Sequence, residues 1–505
     1  MRKRRNVLIS AVLIASMLAT ANPVYVLAEG FSDGEDAFSA GTEMGIQRME
    51  DAAEFESGDS SDYFESGDYP EAGAGELVEE YTDPENAETL VGEDASDGSV
   101  EINDTNFPDV EFQYYVKQNF DTDSDGILLQ EEMDSVTSIN VSLLSIRDLT
   151  GVAFFKKLEK LYCDGNELSY LDVSSNEKLI YLSCSDNKLS SLDLNSNSAL
   201  VSLLCDNNKL SNLDVSSNTA LTSLSCNSNQ ISNLDVSSNN MLTSLYCNSN
   251  QISSLNVSFN IELAYLTCED NQLSDLDVSS NTALTSLRCG SNQINNLNVS
   301  SNTALSVLSC SNNQISQLDV SSNTALSSLR CDNNQISNLD VSSNTALTFL
   351  HCDNNQISSL DVSSNTVLTF LSCNNNKISS LDLSKNNMLD TVVCSGQYLN
   401  NSDVKNYLEK VDGKWNLNLK RIVGDESIEQ ISNLHSNVEI LYENGYVTFS
   451  SLENDLAYIY YDYDIMALNF ELKTMNVTLE INLNDISEPI VTPEPTVTPE
   501  PTVTP

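Results

Sequence analysis

Basic residues, aromatic residues and long apolar runs are all scarce in this chain. Its 505 residues carry 23 Lys and Arg against 74 Asp and Glu, a formal net charge of −51. Such a balance repels phosphate backbones and anionic lipid, so nucleic acid is excluded as a partner. There are one Trp, Trp415, and two His, His351 and His435. No HExxH pair occurs, and no paired carboxylates sit in a recognisable pocket context, so the chain is read as no enzyme. No stretch beyond the N-terminus reaches the ~18 apolar residues of a membrane helix, which argues against membrane insertion.

Arg2, Lys3, Arg4 and Arg5 precede an uncharged apolar run from Val7 to Ala21. That is the pattern of a secretion signal, too short to span a bilayer comfortably, with small residues at Val26 and Ala28 suggesting cleavage after Ala28. Residues 1–28 are therefore expected to be a signal peptide, and the mature chain secreted or displayed at the cell surface. Between Glu29 and Asp104 stand 25 acidic residues against the single basic Arg48. A segment of this composition buries too little apolar surface to offset its ordering entropy, so residues 29–104 are expected to be a disordered acidic linker.

Internal repetition dominates what remains. All twelve cysteines, from Cys163 to Cys394, lie 21 residues apart. One unit runs Leu221, Leu224, Cys226, Asn229, Ile231, Leu234, Asp235, Val236, Asn239, giving LxxLxCxxNx[LI]xxLDVSxNxx. Leu224 and Cys226 alternate inward on a short strand while residues 223 and 225 face out. The return through Ile231, Leu234 and Val236 is too short and too β-branched for a helix of any length. Twelve such strands would make a rod on the order of 55 Å long.

The unit resembles the leucine-rich repeat with Cys in place of the usual strand Leu, and is similar to internalin-type surface proteins of Gram-positive bacteria. The resemblance spans roughly residues 136 to 400. It implies an α/β-type solenoid dominated by β structure, with short parallel strands and little helix, a small helical N-terminal cap and a small β-rich C-terminal domain. It also implies that the Asn three residues after each Cys, Asn229 and its equivalents up to Asn376, bonds main-chain groups of its own and the adjacent turn. At the twelfth copy this position becomes Gln397, expected to mark the end of the regular stack. The cysteines repeat at an inward position that suits a small hydrophobe, so they are read as reduced core rather than disulfides or a metal-binding thiol ladder.

Both flanks read as caps. Asp121, Asp123, Asp125, Gly126, Ile127 and Glu132 fit positions 1, 3, 5, 6, 7 and 12 of an EF-hand loop, led in by a helix carrying Phe112, Val116 and Phe120. The resemblance implies calcium held by Asp121, Asp123, Asp125, the Ile127 carbonyl and Glu132; a plain acidic turn is the other reading. Ile139, Val141, Ile146 and Leu149 form an irregular first repeat, so residues 105–157 are the N-terminal cap and 158–400 the solenoid. Ser402 is expected to cap a short helix through Val411, and Met475, Val477, Leu479, Ile481 and Leu483 alternate with polar residues as a strand. Residues 401–488 are thus a C-terminal cap and β-rich domain, and 489–505 a Pro/Thr-rich spacer in polyproline form. Its period breaks off at Pro505, which favours an anchor beyond it over release.

Function is expected on the outward rows of the sheet. The row before each Cys includes Tyr162, Tyr246, Arg288, Arg330 and His351, and the row three before it includes Tyr181, Tyr265, Phe349 and Phe370. Most other members are Ser or Thr, so Arg288, Arg330, Phe349, His351, Phe370, Tyr246 and Tyr265 are the candidate ligand-binding residues. The expected partner is an extracellular protein or glycan and the chain a monomer. A passive stalk is the alternative, in which the large residues only cover the sheet.

Overall fold

The computed structural model describes residues 98–412, 414–449, 456–465 and 473–482. The expected signal peptide, the expected acidic linker as far as residue 97 and the expected Pro/Thr-rich spacer lie outside the described residues, whereas residues 98–104, expected in the disordered linker, are ordered because Val100 and Glu101 pair with Leu128 and Ile127. Among the described residues no helix is long and apolar enough to cross a membrane.

The N-terminal cap begins with β1 (Val100–Glu101) and helix α1 (Val110–Asn119). Asp109 starts the helix by accepting hydrogen bonds from the amides of Glu111 and Phe112, and its other oxygen accepts from Arg147 N at 2.7 Å. Phe112 and Val116 are fully buried, and Phe120, just past the helix, lies 5.2 Å from Phe155 between ring centroids. The acidic loop follows, leading through β2 (Ile127–Leu128), antiparallel to β1, into helix α2 (Gln130–Ser135).

From β3 (Ser138–Asn140) onward the chain builds one parallel sheet of thirteen strands, ending at β15 (Thr391–Val393). The expected count was twelve; the irregular first repeat supplies the extra strand, because Ile139 pairs in register with Leu161. Each strand is three residues long and points its middle residue inward, while the residue just beyond it, Val141 after the first strand and Cys after the other twelve, is also buried. None of the twelve cysteines forms a disulfide. Two residues after the Cys the backbone turns through positive φ, from 55° at Asp186 to 51° at Asn375. Asn, Asp and Ser occupy these sites because short polar side chains tolerate that conformation.

Asparagines carry the turns. Asn229 Nδ2 donates to the carbonyls of Cys205 and Cys226 at 3.0 and 3.2 Å, and its Oδ1 accepts from Leu210 N at 3.0 Å. Gln397 stands where the parallel sheet ends, as expected, since the strand it opens belongs to another sheet. Its Oε1 accepts from Ile378 N at 3.0 Å and its Nε2 donates to the Cys373 and Cys394 carbonyls at 2.8 and 3.2 Å. A longer amide thus keeps the ladder unbroken for one more turn. A second ladder ran through the repeat without being assigned a role. Asn176 and its equivalents up to Asn386 lie on the return path, and Asn281 Nδ2 donates to the carbonyls of Val257 and Asn260. Their Oδ1 atoms are buried without a hydrogen-bond partner among the described residues.

Beyond the stack, β16 (Gln397–Leu399) joins a four-stranded sheet with β23 (Lys473–Asn482), β22 (Leu456–Ile465) and β19 (Ile431–Ser436), in that order. A second sheet orders β17 (Leu408–Val411), β18 (Lys414–Asn418), β21 (Tyr446–Phe449) and β20 (Ile440–Glu443). Met475, Val477, Leu479 and Ile481 are buried as the alternation required. The helix expected through Val411 is shorter. It covers Asn401–Val404 and a 3-10 turn, after which Leu408–Val411 pairs with Lys414–Leu417 as a hairpin. Its start is capped by Asn400, whose Oδ1 accepts from Ser402 N at 2.9 Å, rather than by Ser402.

Candidate functional site

Parallel pairing in register decides which outward residues become neighbours. Ser328 pairs with Phe349 and Phe349 with Phe370, while Arg330 pairs with His351 and His351 with Ser372. The rings of Phe349 and Phe370 stack 4.4 Å apart with 4° between their planes. The Arg330 guanidinium lies 4.9 Å from the Phe349 centroid, a cation–π distance, and His351 meets the edge of Phe370. On its other side His351 faces two carboxylates, Asp332 at 3.5 Å and Asp353 at 3.2 Å. Burial disfavours charge on the imidazole, but the bond to Asp353 and the charges of Asp332 and Asp353 outweigh it and raise its pKa. Burial likewise opposes the Asp353 carboxylate. Hydrogen bonds from His351, Ser372 and Asn374 nevertheless hold it below its ordinary value.

Arg330, Phe349, His351 and Phe370 therefore form one half-buried surface. Arg288 lies two strands from Arg330, with Ser309 between them in the same row. Tyr246 and Tyr265 sit further along, on Ser244–Tyr246 and Tyr265–Thr267, outside that surface. The position after each Cys was passed over in the sequence, although it supplies the carboxylates. At Gly290 this position has no side chain, and Glu269 reaches across the gap to accept from Ser309 Oγ at 3.0 Å. Burial raises the Glu269 pKa against the opposing effects of Ser309, Arg288 and Arg330. The tilted pair Tyr162–Tyr181, with ring centroids 4.8 Å apart and 36° between planes, is a second aromatic site outside the residues expected to bind.

Ser372, Asp353 and His351 touch, but the aspartate sits in the middle. It accepts from Ser372 Oγ at 2.7 Å while His351 bonds its other oxygen. No serine proton faces the imidazole in that order, so the three do not make a nucleophile and its base.

In the acidic loop, oxygens of Asp121, Asp123 and Glu132 converge within 4.8 Å of one another. Asp121 and Glu132 are buried, with 6% and 8% of their surface exposed. Gly126 turns the chain at φ +85°, which a side chain would strain. Asp125 differs from expectation. Its Oδ1 accepts from Ile127 N at 2.8 Å and its carboxylate is not among the converging three, while Ile127 lies opposite Glu101 in the short β pair. Burial raises the Glu132 pKa, but hydrogen bonds from Thr122 and Leu129 bring it to a net lowering. Three converging carboxylates around a glycine turn, two of them buried and that of Asp123 exposed, are the donors that suit a hard cation.

No family model and no curated protein matches this chain. Among solved structures it is similar to the functional domain of InlJ from Listeria monocytogenes, described as including a cysteine ladder. The identity is 28% over 76% of this chain and 98% of that one, with a TM-score of 0.55. The internalin InlF of the same organism aligns at 26% identity over 60% and 86% of the two chains, with a TM-score of 0.48. With its 21-residue period and its unbroken row of buried cysteines, the chain is a leucine-rich-repeat solenoid of internalin-like build.

Proposed function

We propose that this is an exported protein that binds an extracellular protein or glycan through the sheet face of its solenoid. One observation carries the reading: on a face whose default residues are Ser and Thr, Arg330, Phe349, His351 and Phe370 gather on three successive strands into a single stacked surface. Desolvating a pair of phenylalanines against a partner supplies a few kcal/mol, enough to dominate a modest affinity. The test is a screen of the full chain against extracellular proteins and glycans, followed by Phe349→Ser with Phe370→Ser. Binding of the identified ligand is expected to weaken about tenfold or more while the melting temperature moves little, since both rings stand outside the Leu and Cys core. A double mutant that unfolds or keeps full affinity makes the surface structural and moves the search to Tyr246 and Tyr265. The acidic loop is proposed to hold a structural calcium ion through Asp121, Asp123 and Glu132.

A further inference from the structure

Six large residues of the sheet face, Arg288, His351 and Phe370 not among them, recur on a longer period than the repeat itself. Tyr181, Tyr265 and Phe349 are 84 residues apart in the row three before the cysteines, and Tyr162, Tyr246 and Arg330 are 84 apart in the row just before them. Four repeats separate each recurrence. In every case the second residue lies on the strand after the first and one row over. Tyr162 pairs with Ser183 while Tyr181 pairs with Lys160, Tyr246 with Thr267 while Tyr265 pairs with Ser244, and Arg330 with His351 while Phe349 pairs with Ser328. The outer two pairs have closed to similar distances, 4.8 Å between the tyrosine rings and 4.9 Å from Arg330 to the Phe349 ring. Asp164, Asn248 and Asp332 stand two residues after Tyr162, Tyr246 and Arg330, so each pair has an oxygen acceptor beside it. Between the pairs the same rows are mostly serine.

We infer that the face carries three equivalent stations, about 19 Å apart at ~4.8 Å per strand, and that its ligand is a linear polysaccharide without acidic groups laid along them. The inference rests on the sheet face being the binding surface. Three like sites in a line suit a partner that repeats along its own length. Aromatic rings with a neighbouring carboxylate or amide suit sugar rings, which offer an apolar face and hydroxyl donors. The acidic row formed by Asp164, Asp206, Glu269, Asp332 and Asp353 opposes an anionic polymer. An extended peptide would seek a free strand edge, whereas the strands under all three stations are paired on both sides.

The test uses the full chain and neutral oligosaccharides of graded length from cellulose, chitin, xylan, mannan and β-glucan, with affinity read by calorimetry. At least one series is expected to bind, with a step on the order of a hundredfold in affinity once a chain spans two stations. Tyr162→Ser with Tyr181→Ser, Tyr246→Ser with Tyr265→Ser, and Arg330→Ser with Phe349→Ser should each weaken the longest chain about tenfold or more. Each should leave the shortest chain's affinity nearly unchanged, and circular dichroism checks that the variants fold. Affinity without a length step, or lost wholly with one pair, overturns the inference. So does a panel without binding beside a protein ligand that depends on Phe349 and Phe370, which leaves the proposed function standing. If no ligand of either class depends on the face, both readings fall.

Discussion

His351 illustrates how the position after each cysteine tunes the face. It is one of two histidines, and Asp332 and Asp353 flank it from adjacent turns because the 21-residue register brings both to its row. Its folded pKa is raised above the ordinary value of about 6.5, with burial opposing and the two carboxylates prevailing. The stability it contributes is therefore fully present below that ordinary value and is lost as pH rises through the folded pKa. Asp353, whose pKa is depressed, works in the other window: its contribution is present above the ordinary carboxylate value and is lost as pH falls through the folded one. The His351 ring signal, resolved by NMR against His351→Asn, is expected to titrate with a midpoint above 6.5. The melting-temperature advantage of wild type over that variant should shrink as pH rises above about 6.5. A midpoint at or below 6.5 would mean that the carboxylates do not hold the imidazole in solution.

At the scale of the element, the acidic loop is a preformed turn between α1 and α2 whose carboxylates are partly engaged by its own backbone. Asp121 accepts from Asp125 N and Gly126 N, and Glu132 from Thr122 N and Leu129 N. These bonds hold the oxygens inward without a cation, so an ion gains a nearly assembled site and little folding energy is spent on it. Three carboxylates predict an extracellular-type affinity of roughly 0.1 to 1 mM. Binding to the folded state alone raises stability, so calcium should raise the melting temperature of the N-terminal cap. Asp121→Ala with Glu132→Ala should remove that shift whatever it does to the starting value. Absence of any shift in the wild type at about 10 mM calcium, roughly tenfold above the expected dissociation constant, would leave the loop a turn only.

For the whole molecule, stability is a sum over stacked turns, each adding one strand, one inward Leu, one Cys and two asparagine bridges. The cysteine row is the readout of that stack. Burial pushes the thiols from Cys163 to Cys352 upward, Cys247 to about 12, and a hydrogen bond with Cys394 followed by burial does so for Cys373, so these eleven are protonated and shielded in the folded chain. A thiol reagent is expected to count twelve groups in denaturant and nearly none without it. Two or more groups missing from denatured, unreduced protein would replace the reduced core with disulfides.

The repeat, its handedness of inside and outside, the turn asparagines and the cysteine core were all legible along the chain, because each depends on spacing within one 21-residue unit. So was the identity of the large residues on the outward rows. That Gln397 would also keep the ladder's bonds was not legible, since a side chain one methylene longer reaching the same carbonyls is a matter of local geometry rather than residue type. The segment Leu408–Val411 looked helical until its hairpin partner Lys414–Asn418 gave it main-chain bonds. Glu269 acquired Ser309 as a partner only because Gly290 leaves the intervening place empty, two turns apart in sequence and adjacent in space. What the sequence by itself determined is therefore the unit and which side chains leave its core. Which of those side chains meet was decided by tertiary structure, because pairing between strands sets distances that no single repeat contains.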